Sequence, residues 1–211
     1  YQDAVQALPD TAIPEARAKA QAYNDELWSS IARYGSYSKD SVSSAVEEYA
    51  QLLDLTGTGT MGYVHIPKLA VSLPIYHGTE EETLDRGVGH LIGSSLPIGG
   101  GSTHAILTGH SGLASQKMFS DLDKLEIGDT FYLEVLNEIL AYEVDQINTV
   151  LPHDTTYLGL EEGKDLCTLV TCTPFGVNTH RLLIRGHRIA YTPEDEESHT
   201  IEPAETSEPV D

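Results

Sequence analysis

Cys172 closes a run of strand-forming residues, Leu166-Cys167-Thr168-Leu169-Val170-Thr171-Cys172, and Thr173-Pro174 follows at once. A thiol at the end of a strand meets a loop, solvent and substrate, whereas one in mid-strand is packed. Cys167 is in mid-run and reads as a small buried hydrophobe. A nucleophilic cysteine needs positive charge beside its thiolate and a group that carries a proton to the leaving group. The nine residues from 180 to 188 hold His180, Arg181, Arg185, His187 and Arg188, including three of the chain's six arginines. If Cys172 ends one strand and Arg181 begins the next, the loop from Thr173 to Thr179 folds the guanidinium back beside the sulfur. The competing reading is a surface strand that carries bases for solubility. Among the nine histidines, His110 has the best local context. The run Ala105-Ile106-Leu107-Thr108 ends at Gly109-His110-Ser111-Gly112, whose glycines suit a tight loop at a strand end, although an ordinary loop histidine fits the same text. A zinc site from His104, His110, Cys167 and Cys172 is disfavoured. Its cysteines are spaced x4 rather than the x2 of zinc ribbons and would face opposite sides of a strand. No metal is expected.

The elements that must position these groups are mostly short strands. Candidates are Tyr63 to Ile66, Val71 to Tyr76, His104 to Thr108, Thr130 to Leu136, Leu140 to Leu151 after a turn at Asn137-Glu138, Leu166 to Cys172 and Arg181 to Tyr191. Helical text inside this region is limited to Thr79 to Arg86 and Lys117 to Leu125. Many short strands with Gly and Pro punctuation predict a mainly β barrel or sandwich over residues 61–191. Ahead of it, Ala16, Ala20, Tyr23, Leu27 and Ile31 recur at helical spacing, with Thr11 or Asp10 as cap and Gly35 as stop. Val42, Val46, Tyr49 and Leu53 predict a second helix. Residues 1–60 are therefore expected to be a two-helix attachment.

Charge argues against a nucleic-acid partner. The chain has 211 residues, enough for one full-sized domain with appendages, and 33 acids against 12 bases give a net charge of −21. A nucleic-acid partner needs a basic footprint and is not expected. Part of the excess is local: eight acids and no Lys or Arg follow Thr192, with Pro193, Pro203 and Pro209 among them. Residues 192–211 read as an acidic, disordered tail. No window approaches the apolar length of a membrane span. Two cysteines five residues apart on one strand are beyond disulfide reach.

Taken together, the residues are recognisable. Thr168-Leu169-Val170-Thr171-Cys172 followed by Arg181 resembles the signature of sortases, the cysteine transpeptidases of Gram-positive surfaces, and Thr108-Gly109-His110 is similar to the segment carrying their histidine. The longer string TCTPFGVNTHR at 171–181, with GYVHIPKL at 62–69 and LPIYHGT at 73–79, is similar to class C, the pilin-polymerising group. The resemblance spans roughly 61–191, with its motifs in the family's order. It implies the eight-stranded sortase β-barrel, Cys172 as nucleophile, His110 as general acid or base, and Arg181 as oxyanion stabiliser or substrate positioner, with no cofactor. Its implied partners are pilin or surface-protein substrates with LPXTG-like signals and a lysine amine as acceptor. The implied setting is the ectodomain of a membrane-anchored protein on the outer face of the cell, its anchor removed from this chain. Two features depart from class C. Ser111 stands where an Arg is common, and no Asp-Pro-aromatic lid motif occurs between Tyr1 and Met61. Trp28, Tyr34 and Tyr37 lie where a lid anchor would sit, unless Trp28 simply packs its helix on the barrel. The rival functions are anchoring to cell-wall peptide, hydrolysis, and a non-catalytic β-barrel binding module.

Overall fold

The computed structural model describes residues 1–34, 48–111 and 117–192. Eight strands, β1 (Thr60–Ile66), β2 (Val71–His77), β3 (Val88–His90), β4 (Thr103–Thr108), β5 (Thr130–Val135), β6 (Glu138–Val150), β7 (Asp165–Thr173) and β8 (His180–Ile189), carry most of the fold. They close into a barrel in the order β1-β2-β3-β4-β7-β8-β6-β5. Closure leaves no open sheet edge, which matters for strands this rich in Val, Ile, Leu and Thr.

Period-two alternation sorts each strand into two faces. Cys167 and Leu169 of β7 join the main core with Ala105 and Leu107 of β4 and Ile184 of β8. The alternate residues Ile106, Val170 and Leu183 join Val150 of β6 in a second, smaller cluster on the outer face. In the main core Phe131 stacks on Tyr142 with ring centroids 5.6 Å apart. Gly186 makes room for the pair, since a Cβ there would lie 2.7 Å from the Phe131 ring.

Two pairings are parallel, β2 with β3 and β4 with β7. Parallel neighbours need long connections. The β4 to β7 connection contains the whole β5-β6 hairpin, and it leaves the C-terminal ends of β4 and β7 at the same rim.

Among the described residues, helices include α1 (Gln2–Gln6), α2 (Ala12–Tyr34) and α3 (Glu81–Leu84). Helix α2 docks through Ile13, Ala16, Ala20 and Tyr23. Its buried Asn24 pairs with the Leu96 backbone: Nδ2 donates to the carbonyl at 3.2 Å and Oδ1 accepts from the amide at 2.7 Å. Further on, Tyr49 and Leu53 enter the core. Tyr49 Oη lies 2.7 Å from Nδ1 of the fully buried His90, whose Nε2 donates to Ser95 O at 2.8 Å. No helix among the described residues is long and apolar enough to cross a membrane.

Several local expectations need correction. Strand β3 was absent from the expected set: Val88-Gly89-His90 is too short and Gly-broken to carry a period, and it is extended because β2 and β4 flank it. Lys117 to Leu125 forms turns and a 3-10 helix at Leu122–Lys124 rather than an α-helix. Met118 is the reason, since its φ of 37° breaks a right-handed helix. The β5-β6 turn is centred on Leu136-Asn137, one residue earlier than expected, with φ of 52° and 63° and Val135 paired to Glu138. Helix α1 was not anticipated. Trp28 is half-buried on α2. The Tyr34 side chain, Tyr37, Gly35, Val42, Val46 and the tail from 193 onward lie outside the described residues.

Candidate active site

Three strands deliver the three residues singled out from sequence to one rim. The β7-β8 ladder is antiparallel, and Cys172 is paired with Arg181 in it. Arg181 is paired on its other side with Val150 of β6. The β4-β7 ladder ends at the pair Thr108 and Val170, so His110, just past β4, and Cys172, near the end of β7, each lie two residues beyond the same rung. By alternation His110, Cys172 and Arg181 share the outer face with Ile106, Val170 and Leu183. The site is on the outside of the barrel at its rim, not in the core.

Three hydrogen bonds stitch the two strand ends together. Gly109 N donates to Val170 O at 3.0 Å. The Thr171 hydroxyl donates to Gly109 O at 2.8 Å, and the Ser111 hydroxyl donates to Cys172 O at 2.8 Å. Behind them Phe119 donates its amide to His110 O at 3.0 Å. Its ring lies where a side chain on Gly109 would sit, 2.6 Å from an added Cβ. Glycine at 109 is therefore a packing requirement. Sequence reasoning did not find Thr171 and Ser111 as bracing groups. The only hint was Ser111 as a departure from the family pattern.

Cys172 is half-buried and unpaired, and Cys167 is a free thiol sealed in the core. A cavity of ≈ 40 Å³ opens beside Cys172, with Ser111, Phe119, Phe175 and Leu182 in its lining. Phe175 and Val177 on the β7-β8 loop are 68% and 63% exposed, an apolar rim directly after the cysteine. Arg181 donates Nη1 to Asn178 O at 3.2 Å and to His180 O at 3.0 Å. Carbonyls of the loop and of the first residue of β8 thus hold one end of the guanidinium, and its other nitrogens make no hydrogen bond to the described residues.

His110 Nε2 is closed off from solvent and has no hydrogen-bond partner among the described residues. Two carboxylates of the α3 region face it, Asp85 Oδ1 at 3.7 Å and Glu81 Oε1 at 3.9 Å. Both side chains are open to solvent, so their attraction for an imidazolium is screened. Of the four residues weighed as zinc ligands, Cys167 and His104 are directed away from the rim that holds His110 and Cys172. Cys167 faces the core, while His104 commits Nδ1 to Gly159 O and Nε2 to Thr168 Oγ1.

Strand register brings Cys172, His110 and Arg181 to one rim, and a thiol, an imidazole and a guanidinium are the side-chain types that covalent acyl chemistry needs. A sortase domain family model matches residues 64–189. Sortase D of Bacillus subtilis (strain 168) is 33% identical over 131 residues, which are 61% of this chain and 63% of that protein. Sortase A of Streptococcus agalactiae serotype III (strain NEM316) is 30% identical over 116 residues, 54% and 47% of the two chains. The chain thus spans between 47% and 63% of the length of these curated relatives. Among solved structures, sortase C1 of S. agalactiae superposes with a TM-score of 0.82 at 46% identity, over 91% of this chain and 97% of that one. Sortase C of Streptococcus pneumoniae does so with a TM-score of 0.80 at 41% identity, over 90% and 95%. The family match runs from β1 to the end of β8 and takes in all three rim residues, and with it the chain belongs to the sortase family.

Proposed function

We propose that this chain is a cysteine transpeptidase that cleaves an LPXTG-like sorting signal and transfers it to an amine, namely a pilin lysine. The observation that carries the reading is the rung joining Cys172 to Arg181, with His110 leaving the neighbouring parallel strand at the same height. Likeness to sortases C1 and C of two streptococci supports the pilin acceptor over a cell-wall peptide.

In the first half-reaction the Cys172 thiolate attacks the scissile carbonyl, and the developing oxyanion is met by Arg181 donors. The C–N bond breaks as His110 gives its proton to the leaving amine, and a thioester remains on Cys172. In the second half the incoming lysine amine attacks that thioester and forms the new C–N bond. Its proton passes to His110, and the C–S bond breaks to return the thiolate. Protons and electrons balance without a cofactor. Arg181 is suited to its part because it stays charged at any working pH and presents a planar fork of donors. The protein is expected to act as an ectodomain at the outer face of the cell membrane.

The test is incubation with an LPXTG-type peptide followed by intact-mass measurement. The expected product is a thioacyl adduct on Cys172 that disappears when a lysine peptide is added, with an amide-linked product in its place. No adduct, with the protein folded, rejects the reading. An adduct that is lost only to water replaces transpeptidation with hydrolysis.

A further inference from the structure

The β6-β7 connection, residues 151–164, begins at the site and is fastened away from it. Its first residue follows Val150, the ladder partner of Arg181. It then drops Leu158 onto the outer cluster of Ile106, Val150, Val170 and Leu183, the stripe that ends at Cys172 and Arg181. Leu151 and Tyr157 on it stay 60% and 38% exposed.

The fastening is a buried polar latch at the far end of the same stripe. His104 is 1% exposed and uses both ring nitrogens, Nδ1 to Gly159 O at 2.8 Å and Nε2 to Thr168 Oγ1 at 2.7 Å. A carbonyl only accepts, so Nδ1 carries the proton and Nε2 accepts from the Thr168 hydroxyl. Burial lowers the His104 pKa, which favours this neutral form. Beside it Arg185 grips Asp145 with Nε and Nη2 at 2.9 and 2.8 Å and reaches Glu161 of the connection with Nη1 at 2.7 Å. Gly163 N donates to Ser102 Oγ at 2.9 Å.

Thr168 lies four residues before Cys172 on β7, roughly 13 Å away at about 3.3 Å per residue, so the latch does not touch the reacting atoms. On β4, Ala105 and Leu107 enter the main core, whereas His104, by alternation, faces the outer side with Ile106. What His104 joins is a barrel strand to a long segment with no regular structure of its own.

We propose that His104 is a positioning residue for the donor peptide: through Gly159 it sets the β6-β7 connection over the outer stripe, and thereby the wall against which the sorting signal lies beside Cys172. This rests on the reading of Cys172 as the residue acylated by a peptide.

The test compares His104→Leu, His104→Asn and Thr168→Val in the full chain, using an LPXTG-type fluorogenic peptide. His104→Leu removes both bonds and is expected to raise KM about five- to tenfold, with kcat within about twofold of wild type. The rate of Cys172 alkylation by iodoacetamide should not change. Asn places an amide N–H near the position of Nδ1, so His104→Asn should recover most of the lost affinity. Thr168→Val, nearly isosteric, loses one bond and should raise KM about two- to threefold; it carries the test if His104→Leu does not fold. Hydrogen exchange at 151–164 should rise in His104→Leu while the barrel strands stay protected. An unchanged KM in variants whose melting temperature falls, or a drop in kcat at constant KM, overturns the inference and leaves a structural histidine. No thioacyl adduct in wild type removes the transpeptidase reading and this inference with it. An adduct in wild type with unchanged KM in the variants removes this inference alone.

Discussion

Cys167 and Cys172 stand on one strand five residues apart, yet one is enclosed by the barrel and the other opens on its rim. The separation is odd, so alternation sends the two thiols to opposite faces. Burial pushes the Cys167 thiol well above its ordinary pKa, which keeps it protonated and inert. Cys172, half-buried, shares its face with His110 and Arg181. The histidines repeat the contrast. His90, fully buried, is held between Tyr49, Ser94 and Ser95, and burial brings its pKa down to about 4. His110 keeps Nε2 without a hydrogen-bond partner among the described residues. The difference teaches that residue type does not separate structural from reactive groups here. Placement does: Cys167 is sealed in the core and His90 is engaged at both ring nitrogens, whereas Cys172 is half-buried at the rim and His110 Nε2 has no hydrogen-bond partner among the described residues.

The largest expected effect tests the two cysteines directly. Cys172→Ala should lower peptide cleavage by at least about 10³-fold, as expected when a covalent nucleophile is lost. Cys167→Ala should leave cleavage within about twofold and cost on the order of 1 kcal/mol in stability for the small void left in the core. Comparable loss of activity in both folded variants would remove the contrast. Arg181 comes next. Replacement by Lys should reduce kcat ~10²–10³-fold, because one ammonium does not reproduce a guanidinium fork held at one end by Asn178 O and His180 O. Turnover at the wild-type rate in Arg181→Lys would leave only generic positive charge at that position.

The interior half of the comparison is sharpened by pH. His90 has a folded-state pKa of about 4 against the ordinary 6.5. Between those values the unfolded chain binds more protons than the native one, so stability rises with pH in that window. The contribution is fully present above about pH 6.5 and is lost as pH falls toward 4, with a span of ~3 kcal/mol at 1.36 kcal/mol per unit. Urea denaturation at pH 7 and pH 4.5 measures it. The drop should be clearly smaller in His90→Asn, whatever the absolute stability of that variant. An identical drop in both proteins would assign the acid sensitivity to carboxylates instead.

Legibility in the sequence follows the same division between local and non-local causes. The run from Leu166 to Cys172 announces β7 because it is long, β-branched and stopped by Thr173-Pro174. The spacing from Cys172 to Arg181 announces a hairpin, and the ladder has that form. Strand β3 left no local mark, since Val88-Gly89-His90 is extended only because β2 and β4 hold it on both sides. Lys117 to Leu125 carried helical text that tertiary packing overrode, with Met118 turned to a positive φ beside the fully buried Phe119. In the site, His110 was a candidate on local grounds. Its meeting with Cys172 depends on a parallel pairing across 62 residues of sequence that no local pattern encodes. The braces from Thr171 and Ser111 and the carboxylates of Glu81 and Asp85 are equally non-local.

Ser111 gives the smallest effect and the finest test of what is committed at the rim. Its hydroxyl touches the carbonyl of Cys172 and not the sulfur, so it belongs to the scaffold although it is adjacent to the catalytic candidates. Ser111→Ala deletes one hydrogen bond between two strand ends, worth about 1 kcal/mol. If the bond only ties the ends together, melting temperature falls by a few degrees, the pH dependence of Cys172 alkylation stays where it was, and kcat declines by about fivefold or less because His110 is held less tightly. A shift in the alkylation profile at unchanged melting temperature would give Ser111 a direct electrostatic part in the thiolate, and would extend the uncommitted zone of the rim one residue beyond His110.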